Sequence, residues 1–289
     1  MNAKDRPGTR SQEHEIEIDA PVEAVWRAIT EAGEVIRWFA PVAEIDPRPG
    51  GTYMISWGEG MDGVSDIVTF EPGKRLRLEH RKMEGSPDMP TGPIAEEWVI
   101  ETRAGKTVLR LVQSGIPESA DWDWFYDGTQ RGWTVFLHTL RHYLEHHPGV
   151  SRDHIVSWVP LKGTCAESWP TLMGDQGLGM PETEQAGVSY KARTGAGIEL
   201  AGDVLLADPP YRLLATVEGL NNGLLGATLE QMGPQTFLHL SLSLYGVEKK
   251  TVEELEPRWQ AWASELFPAS GDVAGAWQEM VQGLESAET

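Results

Sequence analysis

The sequence predicts an α+β fold built from two tandem domains, each with an antiparallel sheet followed by a long helix. Its 289 residues are enough for two domains of about 150 residues each. Between residues 53 and 114, apolar and polar residues alternate in short segments that turns connect, which is typical of an antiparallel meander. Residues 127–146 have helical periodicity. The turn motif of Glu71–Leu76, acid-Pro-x-x-Arg-Leu, recurs at Asp208–Leu213.

The first elements are a strand and a short helix. Residues 1–12 are polar, lack the apolar core of a secretory signal, and are expected to be disordered. Residues 14–18 alternate as a half-buried strand does. Asp19 stands at the expected N-cap position of an amphipathic helix over 20–31, with Pro21 in its first turn.

The predicted meander places one set of side chains on the face that the long helix covers. Its strands turn at Pro49-Gly50-Gly51, at 58–63, at Glu71–Lys74 and at 104–106. The long helix presents Trp133, Leu137 and Leu140 along one stripe, so it is expected to lie on the concave face. We expect the inward residues to be Tyr53, Ile55, Trp57, Leu78, His80, Trp98, Ile100, Leu109, Leu111, Gln113, Trp133 and Leu137.

The second half repeats these features in the same order. Trp26 of the first short helix corresponds to Trp169, and Trp133 of the long helix corresponds to Trp259. The predicted organisation is therefore a first domain over 13–147, a degenerate second copy over 151–268, and a final amphipathic helix over 269–289. That helix carries Val273, Trp277, Met280, Val281 and Leu284 on one face, and is expected to pack between the domains or against a second chain.

Charge and composition exclude several classes of protein. The net charge is −20 and there is no basic block, which argues against nucleic-acid binding and against docking on anionic lipid. No run approaches the ~20 apolar residues of a membrane-spanning helix. Cys165 is the single cysteine, which fits a reducing, cytoplasmic compartment. Twelve tryptophans suit both packed cores and the walls of cavities for flat apolar ligands.

Several motifs in the first half together resemble the SRPBCC superfamily, also called START-like or Bet v 1-like, and within it the AHSA-type homologues of the Hsp-ninety ATPase activator. The motifs are Asp19-Ala20-Pro21-x-x-x-Val25-Trp26, Trp38-Phe39, Pro49-Gly50-Gly51, Glu71-Pro72-x-x-Arg75-Leu76 and Gly132-Trp133-x-x-x-Leu137-x-x-Leu140. In the second half only the acid-Pro-x-x-Arg-Leu turn and the Trp259 helix match. The resemblance implies a helix-grip fold, in which a curved sheet wraps the long helix around a cavity for apolar molecules.

The polar exceptions on this apolar wall are His80 and Gln113. A buried polar group is either paired internally or contacts a ligand, so His80 is a structural histidine, a ligand contact or an acid–base catalyst. Gln113 is expected to be structural or to hydrogen-bond a ligand. Trp38 and Phe39 either line the mouth of the cavity or belong to the core.

Other patterns argue against a metal or cofactor site. His138, His142 and His146 recur every four residues, but opposite the apolar stripe, so they are expected to face solvent. Asp121, Asp123 and Asp127 lack the glycine and glutamate of a calcium loop. Glu96 and Glu97 are adjacent in a strand and point to opposite faces, so they are not a catalytic pair. There is no nucleophile elbow and no phosphate-binding glycine loop.

Three functions remain open. The first is binding of an apolar or aromatic small molecule in the first domain, with no reaction. The second is an enzyme, such as a cyclase, dehydratase or hydrolase that uses His80 on a polyketide-like substrate. The third is a co-chaperone-like interaction or a homodimer, formed through the acidic surface and the final helix. The binding function is the one we favour, because most of the predicted wall is apolar.

Overall fold

The computed structural model of the protein describes residues 7–58, 62–81, 92–180, 184–232 and 235–267. Within them the chain forms two compact units, one ending at Gly149 and the next starting at Val150. The helix predicted over 269–289 lies outside the described residues, as do residues 59–61 of the turn predicted at 58–63.

The first unit is a seven-stranded antiparallel sheet with three helices. Its strand order is β1-β7-β6-β5-β4-β3-β2, so the predicted meander is followed by a return to the first strand. The strands are β1 Thr9–Ile18, β2 Val42–Ile45, β3 Thr52–Ser56, β4 Asp62–Glu71, β5 Arg75–His80, β6 Ala95–Arg103 and β7 Lys106–Pro117, and the helices are α1 Val22–Thr30, α2 Ala32–Val35 and α3 Asp123–His146.

The helix α3 lies against one face of this sheet. It buries Trp133, Leu137 and Leu140, as the helical stripe predicts. The buried side chains Ile16 and Ile18 of β1 face the same interior. The core of the first unit is therefore the layer between α3 and the sheet.

Two features of the first strand and first helix were predicted wrongly. The strand β1 starts at Thr9 rather than at residue 14, so residues 9–12 are ordered and not disordered. Asp19 is not the N-cap of α1, because the helix starts at Val22 after Pro21 and has no side-chain cap. Instead the backbone N–H of Asp19 donates to the carboxylate of Glu145, 2.9 Å away.

Other boundaries differ by a few residues. The helix α3 starts at Asp123, four residues before the predicted start at 127. The elements α2 and β2 follow α1 and were not predicted. The turn at Glu71–Lys74 is confirmed, since the N–H of Lys74 donates to the carbonyl of Glu71 and Gly73 adopts a positive φ of 71°.

The second unit has the same arrangement with one strand fewer. Its six-stranded sheet has the order β8-β13-β12-β11-β10-β9, again with the first strand beside the last. The fold is thus α+β with two tandem helix-grip domains. The elements are β8 Arg152–Leu161, α4 Cys165–Met173, β9 Ser189–Arg193, β10 Glu199–Asp208, β11 Arg212–Val217, β12 Gly223–Met232, β13 Gln235–Tyr245 and α5 Lys249–Leu266.

The tryptophans that suggested a repeat occupy equivalent elements. Trp169 is buried on α4, and Trp259 is fully buried on α5 within the core of the second unit. The common origin of the two units stays a prediction. No helix in the described part of the chain has the length and apolar character needed to cross a membrane.

Candidate functional site

Six aromatic side chains meet between α3 and the sheet of the first unit. Phe39 is at their centre, with its ring centroid 5.4 Å from that of Trp133 and 4.7 Å from that of Phe136. Trp133 in turn meets Trp98 edge-on at 5.2 Å. We call this group the aromatic cluster, and its members are Trp38, Phe39, Trp57, Trp98, Trp133 and Phe136.

The aromatic cluster has a buried side and a more open side. Trp38 is 1% exposed, and its Nε1–H donates to the carbonyl of Ala28 at 2.8 Å, so it is a core residue rather than the lining of a mouth. Phe39 is also buried. Trp57 and Phe136 are half-buried, with ring centroids 5.4 Å apart, so these two rings form the more accessible side of the aromatic cluster.

A line of polar residues crosses the sheet beside these rings. The strand register places Gln12 opposite Gln113, and Gln113 opposite Glu96. It also places His80 opposite Ser65, and Ser65 opposite Tyr53. Residues that pair directly across antiparallel strands point to the same face. We call these residues the polar row, and its members are Gln12, Gln113, Glu96, His80, Ser65 and Tyr53.

Hydrogen bonds join the middle of the polar row. The Nε2 atom of His80 lies 2.9 Å from Oε1 of Glu96. The amide Nε2 of Gln113 donates to the same carboxylate oxygen at 3.4 Å. The Glu96 side chain is 8% exposed, whereas that of His80 is 37% exposed. His80 therefore connects a buried carboxylate to the surface.

The polar row continues through Gln12 to the helix α3. The Nε2 of Gln12 donates to Oε1 of Gln113 at 2.6 Å and to Oγ1 of Thr129 at 2.7 Å. The hydroxyl of Thr129 donates to the backbone carbonyl of Phe125 at 2.8 Å. Sheet and helix are thus linked by side-chain hydrogen bonds inside the unit.

Among the described residues, the polar row and the aromatic cluster contain two buried polar atoms without a hydrogen-bond partner. One is Oε1 of Gln12, an acceptor on a residue that is 5% exposed. The other is Nε1 of Trp98, a donor on a residue that is 4% exposed. Most buried polar groups in proteins are paired, and a water or a ligand group could supply the partner of these two.

The polar row also changes the acidity of two of its members. Burial disfavours the imidazolium of His80, but the charge of Glu96 and the hydrogen bond to it outweigh burial and raise the pKa of His80 above its ordinary 6.5. Burial, followed by the charge of Glu96, raises the pKa of the Tyr53 hydroxyl. His80 beside Glu96 therefore binds a proton more tightly than a free imidazole does.

The remaining predicted wall residues have mixed positions. Ile55 is half-buried near the open side of the aromatic cluster. The others are buried in the core. They are Leu78, Ile100, Leu109, Leu111 and Leu137.

Sequence reasoning missed five residues of this site, namely Gln12, Ser65, Glu96, Thr129 and Phe136. The signal for Glu96 was present, because it shares its strand face with Trp98 and Ile100. Glu97, on the opposite face, pairs with Arg75 at 2.6 Å, as the alternation predicts.

The prediction that three histidines of α3 face solvent is wrong for one of them. His142 is buried, with its ring centroid 4.7 Å from that of His146, which is exposed.

Within the described residues, no group of three or more potential ligands could hold a metal ion. Asp123 and Asp127 pair with Arg10 and Arg131, respectively.

The comparison with known families gives a match that lies within the first unit. Residues 19–145 match the family described as "Activator of Hsp90 ATPase homolog 1-like protein". Residues 19–145 form an AHSA-type domain. This match confirms the resemblance inferred from the motifs between Asp19 and Leu140.

The AHSA-type domain and the whole chain also have counterparts among solved structures. The Aha1 dimer from Colwellia psychrerythraea is 23% identical, with a TM-score of 0.43, and the match covers 48% of this chain and 98% of that one. DynU16, a protein from the dynemicin biosynthetic locus, is 18% identical, with a TM-score of 0.40, over 94% of this chain and 98% of that one.

A third structure is the di-domain ARO/CYC protein BexL from the BE-7585A biosynthetic pathway. It is 14% identical, with a TM-score of 0.41, over 96% of this chain and 94% of that one. Among curated proteins there is no match.

Proposed function

We propose that the AHSA-type domain binds an apolar, largely aromatic small molecule between α3 and the sheet. The observation that carries this proposal is the polar row beside the aromatic cluster. Ligand sites in proteins are mostly apolar and contain a few placed polar groups that orient the ligand. Here the half-buried rings of Trp57 and Phe136 would contact the ligand body, and His80 would contact its polar end.

A neutral fluorescent probe tests this proposal. The probe N-phenyl-1-naphthylamine is expected to bind and to increase in fluorescence as it leaves water. Phe136→Ala removes one ring of the aromatic cluster, so we expect the dissociation constant to rise about tenfold, as for the loss of a buried aromatic contact.

The matched control is Phe70→Ala. Phe70 is also half-buried, but it packs edge-on against Trp26 of α1, with ring centroids 5.0 Å apart, and not on the aromatic cluster. This variant should bind the probe as the unaltered protein does. Absence of probe binding by the folded protein, or equal effects of the two variants, would contradict the proposal.

Native mass spectrometry of gently purified protein addresses the natural ligand. An added mass that disappears on denaturation would give the chemical class of the bound molecule.

A second function is favoured by the contact between His80 and Glu96. A histidine 2.9 Å from a buried carboxylate, with a raised pKa, is an arrangement that general acid–base catalysts use. With substrate in place, His80→Ala would lower the turnover by about a hundredfold or more while leaving probe binding intact. A protein that only binds its ligand would show no turnover, either with His80 or with alanine at this position.

A further inference from the structure

The second sheet is buried on its outer face, which is the face turned away from the helices of its unit. On β13, Leu240 lies in one core with Trp169 of α4 and Trp259 of α5, so both helices lie on the inner face. The alternate residues of β13 point to the outer face. Among them, Ser241 and Ser243 are also buried, so the outer face has a cover of its own.

An uncharged groove crosses the middle of this outer face. Strand pairing places Ser241 of β13 between Val156 of β8 and Gly226 of β12. Gly226 in turn lies opposite Leu214 of β11. Ser241 and Gly226 are the smallest residues of this row, so its centre can take a large apolar side chain. We call the row the outer groove, and its members are Val156, Ser241, Gly226 and Leu214.

The corresponding face of the first sheet is different, because it carries charged pairs. Glu97 on β6 lies opposite Arg77 on β5. Glu15 on β1 lies opposite Arg110 on β7. Charged side chains suit a face that stays in water. The outer groove has no charged member, so contact with another apolar surface suits it better than contact with water.

The segment after α5 has the sequence of such a cover. Residues 268–289 lie outside the described residues, and their periodicity predicts an amphipathic helix. Its apolar face is formed by Val273, Trp277, Met280, Val281 and Leu284. Pro268 and Gly271 separate this helix from α5, so the sequence predicts a turn there. A short helix of this kind is stable only when its apolar face packs on another surface.

The course of α5 brings this segment to the edge of the second sheet. Three residues separate the end of β13 from the start of α5. From there α5 packs along β8, and its 18 residues extend for about 27 Å, so it ends near Leu161 at the opposite end of β8. Because β8 is an edge strand, the chain passes round only one strand to reach the outer face. Residues 267–271 can span about 17 Å, which suffices for this turn.

Connection and charge favour this segment over a second copy of the chain. A short link gives the segment an effective concentration on the order of millimolar at the outer face, against which a second copy must compete from solution. The segment carries four acidic residues and no Lys or Arg. If it runs back from Leu161 along the outer face, Glu285 comes toward Arg152, which shares that face with Val156 by alternation.

We propose that residues 268–289 dock on the outer face of the second sheet, with Trp277 in the outer groove above Ser241 and Gly226. The docked segment closes an apolar surface that is otherwise open to association with other proteins. The proposal concerns the second unit and does not depend on ligand binding by the AHSA-type domain.

Thiol accessibility in the full chain tests the proposal. Ser241→Cys places a thiol in the outer groove, and the natural Cys165, buried in the inner core, reports on the folding of the same unit. Modification by iodoacetamide, located by peptide mass spectrometry, should be slow at both positions. Adding Trp277→Asp should raise the rate at position 241 about tenfold or more, because a charge on the apolar face releases the segment. Cys165 should stay unreactive.

The matched control is Gln282→Asp, which adds the same charge to the side of the predicted helix opposite its apolar face. It should leave the rate at position 241 unchanged. Equal rates in the two variants show that another part of the chain covers the outer groove, and they overturn the proposal. A rate at position 241 that rises on dilution, together with dissociation of a dimer in sedimentation velocity, shows that a second copy covers the groove and also overturns it.

A cross-link decides the matter where Trp277→Asp makes Cys165 reactive as well. In a chain with Ser241→Cys and Ala276→Cys, which lies beside the apolar face, a short bis-maleimide should join the two thiols within one molecule. A chain with Ser241→Cys and Gln282→Cys should form this cross-link several-fold less. Equal yields for the two pairs, or no cross-link with Ala276→Cys in the folded protein, mean that the segment does not dock in the outer groove.

Discussion

The pair of His80 and Glu96 couples the interior of the AHSA-type domain to pH. Glu96 is buried, and the 2.9 Å contact gives its carboxylate a counter-charge when His80 is protonated. Because the pKa of His80 is raised in the folded protein, the folded state binds the proton more tightly than the unfolded chain does.

The sign of the pH dependence follows from this difference. The stabilisation is fully present below the unfolded pKa of 6.5 and is lost as the pH rises through the higher folded pKa. We therefore expect His80→Gln to lower the free energy of unfolding more at about pH 6 than at about pH 9. Urea denaturation at the two pH values measures this.

The control for this prediction is to make the same substitution in a protein that already carries Glu96→Gln. In Glu96→Gln the carboxylate is absent and burial alone acts on the pKa of His80, so the larger effect of His80→Gln at the lower pH should disappear or reverse. An effect of His80→Gln in the natural background that grows with pH would contradict the assigned direction.

At the scale of single residues, the sequence predicts part of the site. The polar exceptions on an apolar strand face, His80 and Gln113, follow from alternation alone, and both belong to the polar row. Gln12 could not be found in this way, because residues 9–13 have no apolar alternation to mark a strand. Its burial comes from tertiary contacts with Gln113 and Thr129, which a local pattern does not contain.

At the scale of elements, one side chain joins two helices and the end of the first unit. The hydroxyl of Tyr143 on α3 donates to Oε2 of Glu34 on α2 at 2.6 Å. It also accepts the backbone N–H of Gly149 at 2.9 Å. Tyr143 is fully buried, so this hydroxyl anchors the short helix α2 and the chain after α3 together.

Tyr143→Phe keeps the ring and removes this anchor. We expect the free energy of unfolding to fall by about 1–3 kcal/mol, because the variant removes the hydroxyl that pairs with the N–H of Gly149 and with Oε2 of Glu34, while Oε1 of Glu34 keeps Arg37. Tyr126→Phe is the control, since its hydroxyl makes only a long contact of 3.4 Å with the carbonyl of Ser11. Equal losses in the two variants would show that the hydroxyl of Tyr143 is not an anchor.

The elements differ in how well the sequence predicts them. Strong periodicity predicts α3 and the strands of the meander, whereas their ends depend on contacts outside the pattern. Asp19 has the chemistry of an N-cap, yet its backbone is bound by Glu145 from the far end of α3. The four residues of α2 are too few to show a periodicity, so no sequence pattern could have indicated them.

At the scale of the whole molecule, the sequence predicts two successive sheets because each half has its own strands, turns and terminal helix. The sheet order places the first strand beside the last in both units, β1 beside β7 and β8 beside β13. Local alternation does not encode that long-range pairing, which the resemblance to the helix-grip fold supplied. In each unit, all the described strands of the sheet therefore come from one continuous stretch of chain.

This completeness predicts that the first unit folds and binds on its own. Every strand and helix that carries the aromatic cluster and the polar row lies between Thr9 and His146. A fragment of residues 1–149 should therefore give a dispersed amide spectrum and bind N-phenyl-1-naphthylamine within about threefold of the full chain, a difference of under 1 kcal/mol. The complementary fragment, 150–289, should fold without binding the probe through this site. A 1–149 fragment that folds but does not bind would mean that the second unit completes the site, and the proposed location of the ligand would then be wrong.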